Sequence, residues 1–440
     1  MTYQFPTGKY DILLADDLMG NAIQYKNGNH YYNNEIMSGG AALVMILAPK
    51  TLMMPFLPHR SDDFTFLSLC LKCTKLRKKV CRHENEKSRA FISSYMITDL
   101  DFAVSLGYKI LHWFEVHHFR QRSYLLKDYV SILNGLKIAN SGGLDNLSSD
   151  EEKKIYCDNI NEKMELPEQF KLTVENVVNN SAQKQTYKSF ANNLFGRFSL
   201  NSNFSKVDLI DTRTNLLKIV KTHNVIKMSA LNDNFCQVEY KPREESKKPN
   251  LKGNLYIGSE ICARARQVMY QHMMTIIEAK GCIYSCETDG IFYTLPKDVI
   301  DPLQFSDVTG HFKAMYPSPL EIISFFALGT RNYCLSYKDI QGSIKNVIKV
   351  KGLCLKSNNI SDSLSNETYK DYLESHFKNQ YKNIYIPQLR KTVNKQTKVP
   401  ETKIQHYNFS NDLFVKRFVL KDTSYVTYPF GMKFKNVKKD

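Results

Sequence analysis

The sequence predicts an α+β fold, and three observations carry that prediction. Apolar residues recur at helical spacing over 124–137, 181–198 and 259–280, each stretch bounded by cap or stop residues. Strand-like patterns mark 108–119, 282–295, 333–337 and 345–355. No internal repeat or extended low-complexity run interrupts them.

At 440 residues, 42% of them hydrophobic, the chain can build two or three lobes with real cores. The formal net charge is +16, from 60 Lys+Arg against 44 Asp+Glu. Such an excess suits a polyanionic partner, of which nucleic acid is the commonest, although a solvated lysine surface gives the same count. Ten cysteines are scattered without a compact secreted framework, and no basic-then-apolar start resembles a signal peptide. The longest apolar stretch, Ala41 to Pro49, is too short to span a bilayer. An intracellular, reduced, soluble protein with no membrane partner is expected.

Residues 1–60 read as mixed strand and turn, closing on Met54-Pro-Phe-Leu-Pro-His-Arg60. Thr98-Asp-Leu-Asp101 reads as a capping box opening a short helix that Gly107 stops. Tyr108 to Phe119 follows as a strand. Leu125, Tyr129, Ile132, Leu133 and Leu136 make a helix of Tyr124 to Lys137. Ser148 to Lys154 reads as a solvated joint, and Lys241 to Lys252 as a basic, proline-containing loop. Asn180 or Ser181 can cap a helix running to Phe198. Ser259 can cap another that reaches Lys280 and stops at Gly281. From Cys282 the pattern is strand, tight turn, strand, through Leu295.

Three places carry candidate chemistry. On a helical wheel Tyr187, Phe190, Ala191, Leu194 and Phe198 form the core stripe of the first long helix. Lys184, Lys188, Asn192 and Phe195 share the neighbouring face, with Lys188 and Asn192 one turn apart. A cation, an amide and a ring together suit a phosphate chain and a stacked base, or simply a polar outer face. Downstream, Cys286-Glu287-Thr288-Asp289-Gly290 falls at a hairpin tip. Glu287 and Asp289, two apart, can point into one cleft, as metal-assisted phosphoryl transfer requires; taken alone, the segment is a solvated acidic turn. Cys70-x2-Cys73-x7-Cys81-x-His83 supplies a Cys3His set that suits tetrahedral Zn²⁺, against the alternative of free thiols in a basic loop. Arg60, Lys72, Lys75, Arg77, Lys78, Lys79 and Arg82 surround it. His112, His117 and His118 lie near Glu115 on alternating faces of one strand and cannot all converge.

Lys188-x3-Asn192-x2-Phe195-Gly196 followed by Glu287-Thr288-Asp289 resembles motifs B and C of family B DNA polymerases, closest to the protein-primed members of viruses, linear plasmids and Maverick/Polinton transposons. Asn193 stands where Ser is usual, Phe195 where Tyr or Trp is, Glu287 in place of an aspartate, Ser285 in place of a tyrosine and Gly290 in place of a serine. Ala263-Arg-Ala-Arg266 resembles the helix before motif C. Gly329-Thr-Arg331-Asn-Tyr333 resembles the primer-supporting Lys-x-Tyr element, Lys349-Val-Lys351-Gly352 the basic element after it, and Thr427-Tyr-Pro-Phe-Gly431 a thumb ending. Tyr3-Gln-Phe-Pro-Thr-Gly8 looks like the segment just after motif A, so the resemblance implies an N-terminally truncated chain lacking motif A and the exonuclease domain. Asp11, Asp16 and Asp17 are the nearest acids and read as loop residues.

The resemblance implies a palm with helical fingers and a partial thumb. Its expected parts are a palm segment at 1–120, fingers at 121–200, an insertion at 201–252, palm with the acidic hairpin at 253–354, and thumb at 355–440. It implies template-directed deoxynucleotide addition to a primer end, slowed by the missing carboxylate. Asp289, with Glu287, would hold Mg²⁺ or Mn²⁺. Lys188, Asn192, Phe195 and Gly196 would contact the deoxynucleoside triphosphate, and Arg331, Tyr333 and Lys351 the primer–template DNA. A terminal protein primer, or a separate N-terminal polymerase fragment, is the implied partner. The alternatives are a non-catalytic nucleic-acid-binding remnant and one half of a split polymerase.

Overall fold

The strand Gly40–Leu47 alternates buried and half-buried residues, the mark of a strand packed on one face. It is central in an antiparallel four-stranded sheet whose order is Phe5–Leu14, Lys109–Ser123, Gly40–Leu47, Phe91–Met96. The structure is a computed structural model. It describes residues 3–434 except 20–21, 38, 62–63, 146, 201–203, 245–252, 307–309, 316–320, 330, 340, 352–364, 378–379, 381–382, 394–399, 411–415 and 420–425. Helices and sheets are mixed throughout, and the chain divides into two compact units. No helix among the described residues is long and apolar enough to cross a membrane.

The first unit comprises 1–196, 255–318 and 414–440. Ala42, Val44 and Ile46 of the central strand meet Phe56, Leu57, Phe91, Tyr95, Leu100 and Tyr270 in its core. Helix Leu255–Glu278 is held by Tyr270, whose hydroxyl donates to the Met54 carbonyl at 2.8 Å and whose ring meets Phe56 and Phe102 edge-on. Helices Lys127–Ala139 and Asp150–Met164 form a second core around Ile138, Cys157, Ile160 and Leu166.

The second unit comprises 197–254 and 319–413. One sheet orders Lys206–Ile210, Cys236–Pro242, His223–Ala230; another orders Glu321–Gly329, Asn332–Lys338, Ile344–Lys349. Helix Asn366–Phe377 lies on the latter, Tyr369 donating to the Lys349 carbonyl at 3.1 Å and Asn366 to Ser324 at 3.0 Å.

Of the segments named from the sequence, 414–440 falls in the first compact unit and 355–413 in the second, and 253–354 is divided near 318. Long-range packing sets such units, and it leaves no local pattern. Several local expectations are corrected. Thr98 is not a cap; the helix is Ile97–Ser105 with Met96 at its N-cap and no side-chain capping bond. Its polar residues are spent on tertiary bonds instead, Thr98 to Glu260, Asp99 to Arg266 and Asp101 to His30. Ser148–Lys154 is no joint, because Ser149 and Glu152 form a capping box that starts a helix. The helix expected from Ser259 begins at Leu255. Asp11 lies on the first strand, bonded to Arg120, rather than in a loop. Residues 245–252 of the expected basic loop, and Gly352, lie outside the described residues.

His59 is 4% exposed, stacked on Phe91 at 4.1 Å between ring centroids, and neither ring nitrogen has a hydrogen-bond partner. Burial alone lowers its pKa to about 4. An unfolded histidine titrates near ~6.5, so the unfolded chain takes up this proton first. The stability that neutral His59 contributes is full above about pH 6.5, declines as pH falls, and is gone below about pH 4, a swing of about 3 kcal/mol. In denaturant titrations at pH 7 and pH 4, His59→Phe is expected to lose about that much less stability than the parent. Equal losses would place the acid sensitivity elsewhere.

Candidate functional site

The acidic hairpin is mounted on the end of the helix Leu255–Glu278. Lys280, at φ +60°, and Gly281 return hydrogen bonds to Ile277 and Ile276, which ends the helix as an αL terminus does. A Cβ on Gly281 would lie 2.6 Å from Ile276 Cγ2 and 2.9 Å from the Thr294 carbonyl oxygen, so only glycine lets helix and hairpin approach this closely. Strands Cys282–Glu287 and Gly290–Thr294 pair with Glu287 opposite Gly290, leaving Thr288-Asp289 as a two-residue turn. Thr288 sits at φ +58°. A β-branched residue in the left-handed region is strained by about 1–3 kcal/mol. The strain falls between the two acids, Glu287 half-buried and Asp289 exposed.

Asn180 caps the helix Ser181–Phe198, its Oδ1 accepting from Gln183 N at 3.1 Å. Lys188, Asn192 and Gly196 are exposed and Phe195 is half-buried, so the expected polar face exists. A Cβ on Gly196 would meet nothing within 4 Å, so a ligand has room there. The expected core stripe is only partly right. Ala191 is buried, Tyr187, Leu194 and Phe198 are half-buried, and Phe190 is 53% exposed. Helix and hairpin belong to the same compact unit.

Arg331, Tyr333 and Lys351 lie in the second unit. Arg331 is exposed at φ +60° in the turn before Asn332–Lys338, and Lys351 is exposed, its N–H donating to Asn332 Oδ1 at 2.8 Å. Tyr333 is 4% exposed with its ring against Phe325, so it serves the core of that unit.

Cys70, Cys73, Cys81 and His83 form a cluster that can hold a metal ion, with all four ligand atoms within 4.8 Å of one another. His83 Nδ1 lies 3.5, 3.4 and 3.8 Å from the three sulfurs. Tetrahedral bonds of ~2.3 Å to sulfur and ~2.0 Å to nitrogen put such pairs about 3.5 Å apart. Cys70 also N-caps the helix Leu71–Leu76, accepting from Cys73 N at 3.5 Å, which turns both sulfurs the same way. The crowding polarises the thiols. Hydrogen bonds from Cys70 and Cys73 hold Cys81 far below the ordinary thiol range, whereas sharing its proton with Cys70 and Cys81 pushes Cys73 far above it. Lys72, Lys75, Lys78, Lys79 and Arg82 are exposed around the cluster.

Two things had no sequence signal, the tyrosine partners of His117 and the aromatic wall on the cysteines. His117 bridges Glu115, at 2.5 Å from its Nε2, and the Tyr256 hydroxyl, with Tyr10 stacked on its ring at 5.2 Å. Phe418 and Phe430, about 350 residues downstream of the cysteines, share a buried cluster with them. No family model, curated protein or solved structure matches the chain.

Proposed function

We propose that this chain is the polymerase region of a protein-primed family B DNA polymerase, which adds deoxynucleotides to a primer end as a template directs. The observation that carries the reading is the strained Glu287-Thr288-Asp289 tip, mounted on a core helix in the same unit as the exposed Lys188–Asn192 face. Two carboxylates, Glu287 before the two-residue turn and Asp289 within it, are hard oxygen donors. They suit a divalent ion that takes one or two protein carboxylates and completes its shell with water and phosphate. Asp289, with Glu287, would hold Mg²⁺ or Mn²⁺, which when bound neutralises charge developing on the phosphates. Lys188 donates to the triphosphate, Asn192 hydrogen-bonds it, and Phe195 packs beside the base pair over the open approach at Gly196. Arg331 and Lys351 offer their charge to the phosphates of primer and template. The ion suited to the three cysteines and His83 is structural Zn²⁺, because four protein ligands leave no open position.

The test is primer extension with Mg²⁺ and separately Mn²⁺, beside salt-dependent binding of primer–template DNA. Binding is expected to weaken by about a thousandfold between 50 and 200 mM salt if six or so phosphates are contacted. Extension is expected to fall at least about a hundredfold in Asp289→Ala. Extension untouched by Asp289→Ala would overturn the reading. Salt-sensitive binding with no extension by the parent would make the chain a binding remnant or half of a split enzyme.

A further inference from the structure

The metal cluster is walled by a distant part of the chain. Strands Arg417–Val419 and Thr427–Pro429 pair, and residues 430–434 continue across the cysteines. Leu69 N donates to the Phe430 carbonyl at 2.7 Å, one residue before the ligand Cys70. Gly431 lies against Cys70 so closely that a Cβ there would be 2.5 Å from both Cys70 N and Cys70 Cβ, and 2.8 Å from Leu69 C. Its φ of +93° is itself a glycine conformation. Phe418 and Phe430 are buried with Phe66 and the three cysteines, while Tyr428 and Phe434 pack on the outside. The Arg77 guanidinium, in the loop between Cys73 and Cys81, lies 4.6 Å over Phe66 and 5.8 Å from Phe430. Beyond the cluster, Lys433 donates its N–H to the Lys50 carbonyl at 2.9 Å and pairs with Glu84, next to the ligand His83.

A CxxC turn of six helical residues and a loop to Cys81 bury too little apolar surface to hold this shape alone. The C-terminal segment docks on the backbone of Leu69 and directly against the ligand Cys70, a turn that an ion shared by the sulfurs would fix. We propose that the metal centre is the anchor of the C-terminal segment, so that an ion at Cys70, Cys73, Cys81 and His83 and residues 427–434 hold each other in place. The inference rests on reading the cluster as a zinc site and names what that zinc is for. The coupling is reciprocal: metal protects the segment, and the docked segment slows loss of the metal.

The experiment uses the full chain. Metal content is measured first, and absorption of the Co²⁺-loaded protein reports the thiolate ligands. Amide exchange of residues 427–434 is then compared before and after zinc removal by a chelator, with strand Gly40–Leu47 as internal reference. One zinc per chain is expected, and its removal should speed exchange in 427–434 at least about tenfold while leaving the reference unchanged. Cys73→Ser should lose the ion, but it can also fail to fold. Gly431→Val therefore serves as the second variant, because it keeps all four ligands and clashes with Cys70. It is expected to bind zinc yet release it to chelator about 10–100 times faster, the range that neighbours of metal ligands command. Absence of zinc from the parent would overturn the zinc reading. Zinc present, with exchange in 427–434 indifferent to its removal and Gly431→Val holding it as tightly as the parent, would overturn the anchor alone.

Discussion

Replacing Glu260 with alanine is expected to cost about 3–5 kcal/mol of unfolding free energy, the usual penalty for removing one partner of a buried ion pair. Glu260 is fully buried on the helix Leu255–Glu278. Its Oε1 accepts from Thr98 at 2.7 Å, Arg264 at 3.2 Å and Arg122 at 3.4 Å, while Oε2 has no hydrogen-bond partner. Burial, and then the like charge of Arg264, depress the pKa of Arg122, and the Glu260 carboxylate opposes that shift. Without the carboxylate the Arg122 and Arg264 side chains, 21% and 24% exposed, would lose the buried counter-charge that lies between them. Glu260→Gln keeps the shape and one acceptor, so it is expected to lose less than alanine. Denaturant titration of the two variants checks this, and a loss below about 1 kcal/mol for alanine would mean that water replaces the carboxylate.

Gly40→Ala is expected to cost at least about 3 kcal/mol, since it combines a forbidden conformation with a backbone clash. Gly40 begins the central strand at φ +119°, and a Cβ there would fall 1.8 Å from the His117 carbonyl oxygen. That oxygen belongs to the neighbouring strand, so it cannot swing aside as a side chain can. Gly28→Ala is the control: φ is +81°, but a Cβ there would meet nothing within 4 Å. Its cost is expected to be about 1 kcal/mol, from conformation alone. Similar losses for the two variants would show that the sheet yields at Gly40.

Much of the local structure is legible in the sequence because its causes are local. The cap at Asn180, the turn at Thr288-Asp289, and the helix over Lys127–Ala139 each follow from residues a few positions apart. The four metal-cluster residues were legible for the same reason, with Cys70 and Cys73 brought together by a single helical turn. Where reading failed, a distant partner had taken over a residue that local rules assign elsewhere. Thr98 looks like a cap because Asp101 stands three residues on, yet Glu260 and His30 claim the two side chains. Phe190 fits the apolar stripe of its helix but is exposed, because a wheel shows which residues share a face and not how widely that face is covered.

By itself the sequence determined the mixed helix-and-strand character, the acidic turn, the exposed lysine–asparagine face and the cysteine–histidine set, all of them local patterns. Only the tertiary structure decided that residues 414–440 return to the first unit and that Gly431 closes over Cys70. It alone decided that Tyr333 packs in a core and that the helix Leu255–Glu278, which runs into the acidic hairpin, carries the Glu260 network near its other end. The physical reason is that burial and hydrogen-bond satisfaction are settled between residues hundreds of positions apart, where neither periodicity nor spacing leaves a mark.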